Sequence, residues 1–474
     1  MTITIHHSQD LNLETIKQVA WKGKSVTLSD FLLKKLDSQR SKFLHYVEEN
    51  SNQHLYGITT AHHIGAKRLL TKEEREDFSK RLPPTPPGVG KPLPERVVRA
   101  IIIARLADFI GGTAPVQPNT SKRMIGMLDE PLPVVPSQGL GEPGDIIPLG
   151  ILFKDLPDKT QLGLGEGMFL INGSPVASAV LADVVLAGQS RIKLMENVFA
   201  LAAAAFGASD QHYDAALDSL WGDPYQARVL ERFRTRLDQR STTHQRYQAP
   251  VSFRSAPRML GWAHRVQEQA EECAQIALRS PSNNPVFVED TTDGSYKVIS
   301  NGGYHNPFTA GTIDNVTRSW ADLAQLAMHQ VNRITEKQDG ILKYETEPRL
   351  TVLYMAASGW AEEARNAASA SLISMGPGGQ TDTSTPDVLA WNKAQLAGEA
   401  LDHVVSLLGI LAAHTLAYQK QTPPPALHEL YQKILLLYPR KTDYKDFSKD
   451  LRQVIHYLTN EADSIDVAVS NEPL

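Results

Sequence analysis

Cysteine is almost missing from this chain: it occurs once in 474 residues. That excludes an intrachain disulfide framework and any cysteine-built metal site. The one thiol, Cys273, falls in the helical pattern Glu271-Glu272-Cys273-Ala274-Gln275 and is expected to be packed. The compartment it points to is reducing and cytoplasmic. An excess of positive charge is missing as well. The 48 Lys and Arg residues are outnumbered by 53 Asp and Glu, for a formal net charge of -5. No basic stripe with interleaved aromatics is present, so nucleic acid and anionic membranes are not expected partners. Nor is there an uncharged apolar run that reads as long enough to span a bilayer, and Met1 to His7 lacks the charged and apolar blocks of a signal peptide. Secretion and membrane insertion are not expected, and a small molecule is the default partner.

What is there is material for a large helical core, with 42% hydrophobic and 21% charged residues. Beyond residue 95 most of the chain repeats apolar residues at a helical period and is rich in Ala, Leu, Glu, Gln and Arg. Glu95 to Ile110 reads as a surface helix whose solvated face carries Glu95, Arg96, Arg99 and Arg105. Ser174 to Phe206 is more uniformly apolar and reads as buried on several sides. Further helices are expected near residues 257–278, 311–334, 351–375 and 386–419, lengths that suit a long antiparallel bundle. Strands are expected only in short pieces, Pro285 to Val288 and Tyr296 to Ile299 after the turn Asp293-Gly294. Residues 83–88, 376–379 and 423–425 read as loops. One or two amphipathic helices follow over 426–460, and then a frayed acidic tail. The division this suggests is 1–205, 206–422 as a central helical bundle, and 423–474.

Two motif-like strings carry little. Gly139-Leu140-Gly141-Glu142-Pro143-Gly144 fits the spacing of a dinucleotide-binding turn, but Pro133 and Pro136 interrupt any preceding strand and Pro143 intrudes on the turn. The adjacent His62-His63 pair cannot put both imidazoles on one helical face and has no nearby carboxylate or cysteine at a metal spacing. Both histidines read as solvated, in a loop that can serve as a lid.

The stretch that decides the reading is Pro136-Ser137-Gln138-Gly139-Leu140-Gly141-Glu142-Pro143-Gly144-Asp145-Ile146-Ile147-Pro148-Leu149. It resembles the signature loop of the aromatic amino acid ammonia-lyases, the histidine and phenylalanine ammonia-lyase family. There an Ala-Ser-Gly triplet cyclises and dehydrates into an electrophilic methylidene-imidazolone group. Here the triplet reads Glu142-Pro143-Gly144, and a proline has no hydroxyl to lose as water, so no prosthetic group is expected.

The resemblance recurs in order from about residue 50 to 420. Leu55-Tyr56-Gly57-Ile58-Thr59-Thr60 resembles the loop that carries the family's catalytic tyrosine base, with Thr59 where an asparagine stands. Gly88-Val89-Gly90-Lys91-Pro92 and the helix after it resemble a segment that puts Thr85 at the substrate-selecting position. Leu170-Ile171-Asn172-Gly173-Ser174 resembles Leu-Ile-Asn-Gly-Thr, whose asparagine lines the site. Residues 248–258 keep Gln248 and Arg254 but have Val251 for the second active-site tyrosine. Ser282-Asn283-Asn284-Pro285 resembles Ser-Asp-Asn-Pro, and Gly302-Gly303-Tyr304-His305 resembles Gly-Asn-Phe-His. Ser384-Thr385-Pro386-Asp387 is the nearest run to Asn-Gln-Glu-Asp and puts Pro386 at the catalytic glutamate.

The fold this implies is mainly α, an ammonia-lyase-like helical bundle with an N-terminal mixed domain that carries the active-site loops. A homotetramer with sites shared between subunits is implied too. Within it several helix N-termini would converge on an electropositive platform behind the loop, where an ionised Glu142 is expected. Tyr56 is the expected base, its phenol lowered by a cation such as Arg254. Arg254 either binds a substrate carboxylate or pairs with Asp145 or Glu142. Asn172, Gln248, Thr85, Tyr304 and His305 are the remaining candidates for substrate contact. The leading expectation is a lyase-like enzyme without the prosthetic group, using Tyr56 and Glu142 for elimination, Michael-type addition or cyclisation, or isomerisation of a carbonyl- or carboxylate-bearing metabolite. Its rivals are a catalytically silent homologue that binds a metabolite or acts as a scaffold subunit, and a hydrolase using Glu142. An ordinary ammonia-lyase requires chemistry that Pro143 forbids.

Overall fold

The computed structural model describes residues 2–240, 245–336, 340–440 and 447–460. The acidic tail expected after Ala462 lies outside them. The chain forms two compact units that interleave along the sequence. The first is Met1–Leu186, Ala270–Ile313 and Ala370–Asn392, and the second is Ala187–Gln269, Asp314–Ser369 and Lys393–Leu474. Helix dominates, and among the described residues strands come only as three two-stranded pieces.

In the first unit β1 (Ile3–Ile5) pairs in parallel with β2 (Val26–Leu28). The helix Asp30–Glu49 then starts on Ser29, whose hydroxyl caps the Leu32 N–H, and it buries Leu32, Leu36, Arg40, Phe43 and Val47 at three- and four-residue spacing. The helix Glu95–Ile110 corrects an expectation. Every residue from Val97 to Ile110 is buried, and Arg99 and Arg105 are internal ties, while Arg96 is half-buried. Arg99 donates to the carbonyls of Val19, Leu128 and Lys24 at 2.8, 2.7 and 3.2 Å. Arg105 is fully buried against Asp108. Arg96 takes Asp183, which also accepts the Trp391 indole N–H at 3.0 Å. A guanidinium is tolerated there because its donors find carbonyls and carboxylates.

In the second unit the helices meet around paired charges. Arg191 forms a two-point pair with Asp402 and lies over the Trp320 ring at 4.6 Å. Glu196, buried, collects Arg232, Arg236 and His264 at 2.8, 2.9 and 2.7 Å. Burial would raise its pKa, but these three partners hold it at about 2.

The long helices run Pro175–Phe206, Ala256–Arg279, Pro307–Thr335 and Asp387–Tyr418, close to the expected spans. The stretches Glu166–Phe206 and Asp387–Tyr418, each interrupted by charged residues, are apolar and long enough to cross a membrane by length and composition, and both are largely buried within the protein as core helices are. The helix expected over 351–375 stops earlier, at Leu353–Ala367. β3 (Val286–Glu289) and β4 (Tyr296–Ile299) form the expected hairpin. The stretch read as a loop at 376–379 belongs instead to a second hairpin, β5 (Ser374–Gly378) with β6 (Thr381–Ser384). Its turn holds Gly378 and Gly379 at φ of +98 and +64°, a backbone that glycine adopts freely, and the glycines that suggested a break supply the hairpin's turn. The two C-terminal helices are His428–Leu437 and Phe447–Asn460.

Candidate active site

Tyr56 is presented by a tight turn. The Leu55 carbonyl accepts the N–H groups of Ile58, Thr59 and Thr60 at 3.0, 3.0 and 3.2 Å. The Thr59 hydroxyl accepts the Leu55 N–H at 2.8 Å and donates to the Gln53 carbonyl at 2.5 Å, so this residue closes the turn. Gly57 has φ of +66°, and a Cβ there would come within 2.6 Å of the Met168 side chain. The phenol oxygen of Tyr56 accepts the His63 backbone N–H at 3.3 Å.

The tyrosine lines a cavity of about 180 Å3 within the first unit. Its wall is uncharged: two phenols, Tyr56 and Tyr304; four amides, Asn172, Asn284, Asn301 and Gln380; the hydroxyls of Ser300 and Thr381; and the apolar Pro143 and Ile146. The amides are held from behind. Asn172 is fixed through its backbone, whose carbonyl receives the Asn283 amide at 3.1 Å and the Arg105 guanidinium, so its side chain is left for the cavity. Arg105 pairs with Asp108, which also accepts the N–H groups of Ser282 and Asn283 at 2.7 and 2.8 Å. Asn301 donates to the Asn283 carbonyl at 3.1 Å and to Asn284 Oδ1 through its own N–H at 2.9 Å. Gln380 enters from the turn between β5 and β6.

Glu142 is placed differently from the expectation. Only 8% exposed, it does not line the cavity, although Pro143 beside it does. Its Oε1 accepts the Ile147 N–H at 3.3 Å at the start of the helix Ile146–Phe153, and its Oε2 is buried without a partner. Burial, and then the charge of Asp145, push its pKa up to about 8, more than its backbone N–H contacts offset. It is therefore protonated at neutral pH, not ionised.

Asp145 accepts the N–H groups of Val176 and Ala177 at 2.7 and 3.3 Å, where Pro175–Phe206 begins. Burial still raises it to about 7. Asp387, at the start of its own helix, has neither carboxyl oxygen in hydrogen-bond geometry. Burial and the Asp145 charge hold it well above the usual carboxylate range, with Thr385 and the Ala310 backbone offsetting part of this. Three helix starts in this unit thus carry carboxyl groups of the chain itself, where an electropositive platform was expected.

The other predicted residues divide. Asn172 and Tyr304 line the cavity. Tyr304 also packs on Gly144, whose φ is +71° and where a Cβ would stand 3.1 Å from the Gly173 carbonyl and 3.2 Å from that of Tyr304. His305 is next in sequence but outside the wall, its Nε2 buried without a partner. Thr85 packs on Gly150 and is not part of the wall, because the loop that carries it lies on the helix Ile146–Phe153. Gln248 is exposed, and both it and Arg254 belong to the second unit. The Nε of Arg254 is buried without a hydrogen-bond partner among the described residues. Burial pushes the Tyr56 phenol up, the reverse of the expected lowering.

Asn284, Asn301 and Asp387 are additional to the residues expected from the sequence, although each lies in or beside one of the family-like motifs. Gln380 and Thr381 had no signal beyond the glycines that shape their turn.

A family profile described as aromatic amino acid lyase matches residues 11–157 and 155–435. The histidine ammonia-lyase of Geobacillus sp. (strain WCH70) is 25% identical, over 94% of this chain and 95% of its own. Among solved structures, the Pantoea agglomerans phenylalanine aminomutase superposes with a TM-score of 0.84 at 17% identity, covering 96% of this chain and 99% of that one. The ergothionase of Treponema denticola superposes with a TM-score of 0.83 at 15% identity, covering 96% and 98%. At these identities the structures establish a shared fold.

Proposed function

We propose that this chain, which belongs to the aromatic amino acid lyase family, carries out lyase-type elimination, or the reverse addition, by acid/base chemistry of its own side chains. Relatives named histidine ammonia-lyase support elimination as the reaction class. The chain's own residues do not fit the methylidene-imidazolone: Pro143 lines the cavity, and its ring has no hydroxyl to lose and no N–H. The electron demand must then come from the substrate. A carbonyl beside the C–H makes that proton acidic enough for an ordinary base.

The observation that carries this reading is one uncharged cavity in which the Tyr56 phenol and the amides of Asn172, Asn284, Asn301 and Gln380 stand together with Pro143. Amide N–H groups donate to the oxygen of the developing enolate. The ionised oxygen of Tyr56 takes the proton from carbon, the C–H electron pair becomes the new double bond, and the leaving group departs with its own bonding pair. Each pH unit below the phenol's pKa makes that base about tenfold scarcer. Glu142 lies behind Pro143 and outside the cavity wall, which favours elimination over a hydrolase built on it.

The high phenol pKa also favours a second reading, a metabolite-binding homologue without turnover. The family resemblance further supports a homotetramer, in which Arg254 and Gln248 serve sites completed by neighbouring copies, and the near absence of cysteine suits a reducing, cytoplasmic compartment. Comparative mass spectrometry of a small-molecule extract, incubated with wild type and with Tyr56→Phe, separates the two readings. Conversion by wild type alone supports elimination, and its mass change identifies the leaving group. Binding with no conversion by either protein overturns elimination in favour of the silent homologue.

A further inference from the structure

His63 has a backbone φ of +53°, in the left-handed region that residues other than glycine occupy at a cost. What that conformation achieves is visible nearby: the His63 N–H donates to the phenol oxygen of Tyr56 at 3.3 Å, seven residues back along the same loop. The loop is tied in turn by the Gly65 N–H to the His62 carbonyl at 3.1 Å, and His62 packs against Phe78 with ring centroids 5.9 Å apart. The Gln380 side chain also reaches the same phenol.

Resting on the elimination reading above, we propose that the His63 backbone N–H is a positioning group for Tyr56: it fixes the phenol oxygen at the cavity wall and stabilises its ionised form when it acts as the base. A hydrogen bond to a charged acceptor is stronger than one to a neutral acceptor, so this contact tightens as the phenol loses its proton. The effect is modest beside burial, which outweighs it, but it acts in the useful direction, as the Gln380 amide does. Tyr304 opposes both, because a negative charge on either phenol disfavours one on the other. Burial lowers His62, which disfavours a cation at that imidazole. The assistance to Tyr56 therefore comes from neutral donors, and its largest part is a main-chain group that no side-chain alignment would reveal.

The test uses the full-length protein with 3-fluorotyrosine at position 56 and its fluorine resonance as a direct reading of phenol ionisation. Replacing the amide between His62 and His63 by an ester removes the N–H and leaves the side chain. The expected result is a titration midpoint higher by about one pH unit, a roughly tenfold loss of phenolate at a given pH. An unchanged midpoint in the folded ester protein overturns the proposal. Should the ester protein fail to fold, the His63 amide proton of the all-amide protein, labelled selectively with nitrogen-15 and assigned against Tyr56→Phe, takes its place. It is expected to move with the midpoint of the fluorotyrosine signal, and a flat response overturns the proposal equally. Neither reading depends on turnover, so either can fail while elimination by Tyr56 stands, and the reverse.

Discussion

Asp145 Oδ2 accepts the Val176 N–H at 2.7 Å, so a helix of 32 residues begins on a buried carboxyl group that is itself pushed up to about 7. The helix start favours the anion and burial disfavours it, and burial wins. The same contest at Glu142, whose Oε1 accepts the Ile147 N–H, leaves the pKa at about 8.

These values set how stability responds to pH. Glu142 and Asp145 have folded pKa values of about 8 and about 7, above their ordinary values of 4.5 and 3.8. Between those limits these two carboxyl groups bind more protons in the folded protein than in the unfolded chain. The stabilisation is complete below the unfolded values and is lost as pH rises through the folded ones, at about 1.4 kcal/mol for each pH unit over which one proton separates the states. Wild type is expected to melt at falling temperature from pH 5 to pH 8, and Glu142→Gln to show a shallower fall. Thermal melts across that range are the check; parallel curves would contradict the assignment.

Turnover should respond to pH in the opposite sense. A phenol pushed above 10 by burial is ionised in proportion to pH throughout the neutral range. Once a substrate is known, kcat/KM should rise about tenfold per pH unit from pH 7 to 9. Tyr56→Phe should lower it by about 100-fold or more, with little loss of stability. A pH-independent profile would remove Tyr56 as the base.

Asn172 separates structural work from ligand contact within one residue. Its carbonyl anchors Arg105 and Asn283, while its side chain faces the cavity. Asn172→Ala should therefore fold with wild-type stability to within about 1 kcal/mol and weaken ligand binding by roughly 10-fold. Chemical denaturation and calorimetric titration measure the two effects separately.

Asp108→Ala has the reverse profile. It leaves the Arg105 charge buried without its carboxylate and the N–H groups of Ser282 and Asn283 without an acceptor. A loss of about 3–5 kcal/mol is expected in urea unfolding. A change below about 1 kcal/mol would mean that Arg105 reorganises onto other acceptors.

The sequence made the helices legible because their apolar period continues over many turns, as in Pro175–Phe206. It misjudged Glu95–Ile110, because a side-chain charge says nothing about whether a carbonyl waits for it inside; Val19, Lys24 and Leu128 wait for Arg99. Tyr56 and Asn172 were found through the motif resemblance. Asp387 was passed over beside Pro386, although burial and a neighbouring carboxyl make it one of the most perturbed acids in the first unit. Glu142 was identified but given the wrong charge state, since ionisation depends on depth and on Asp145.

Tyr56 and Thr381 share one cavity wall, and residues 187–269 of the second unit are translated between the first unit's own segments. A ribosome must therefore make most of this chain before that wall can close. Until then the apolar sides of Pro175–Phe206 await partners not yet synthesised, so folding is late, long-range and exposed to aggregation. Cells making this protein should depend on chaperones that hold nascent chains, and a truncated transcript should yield insoluble product in place of a working half.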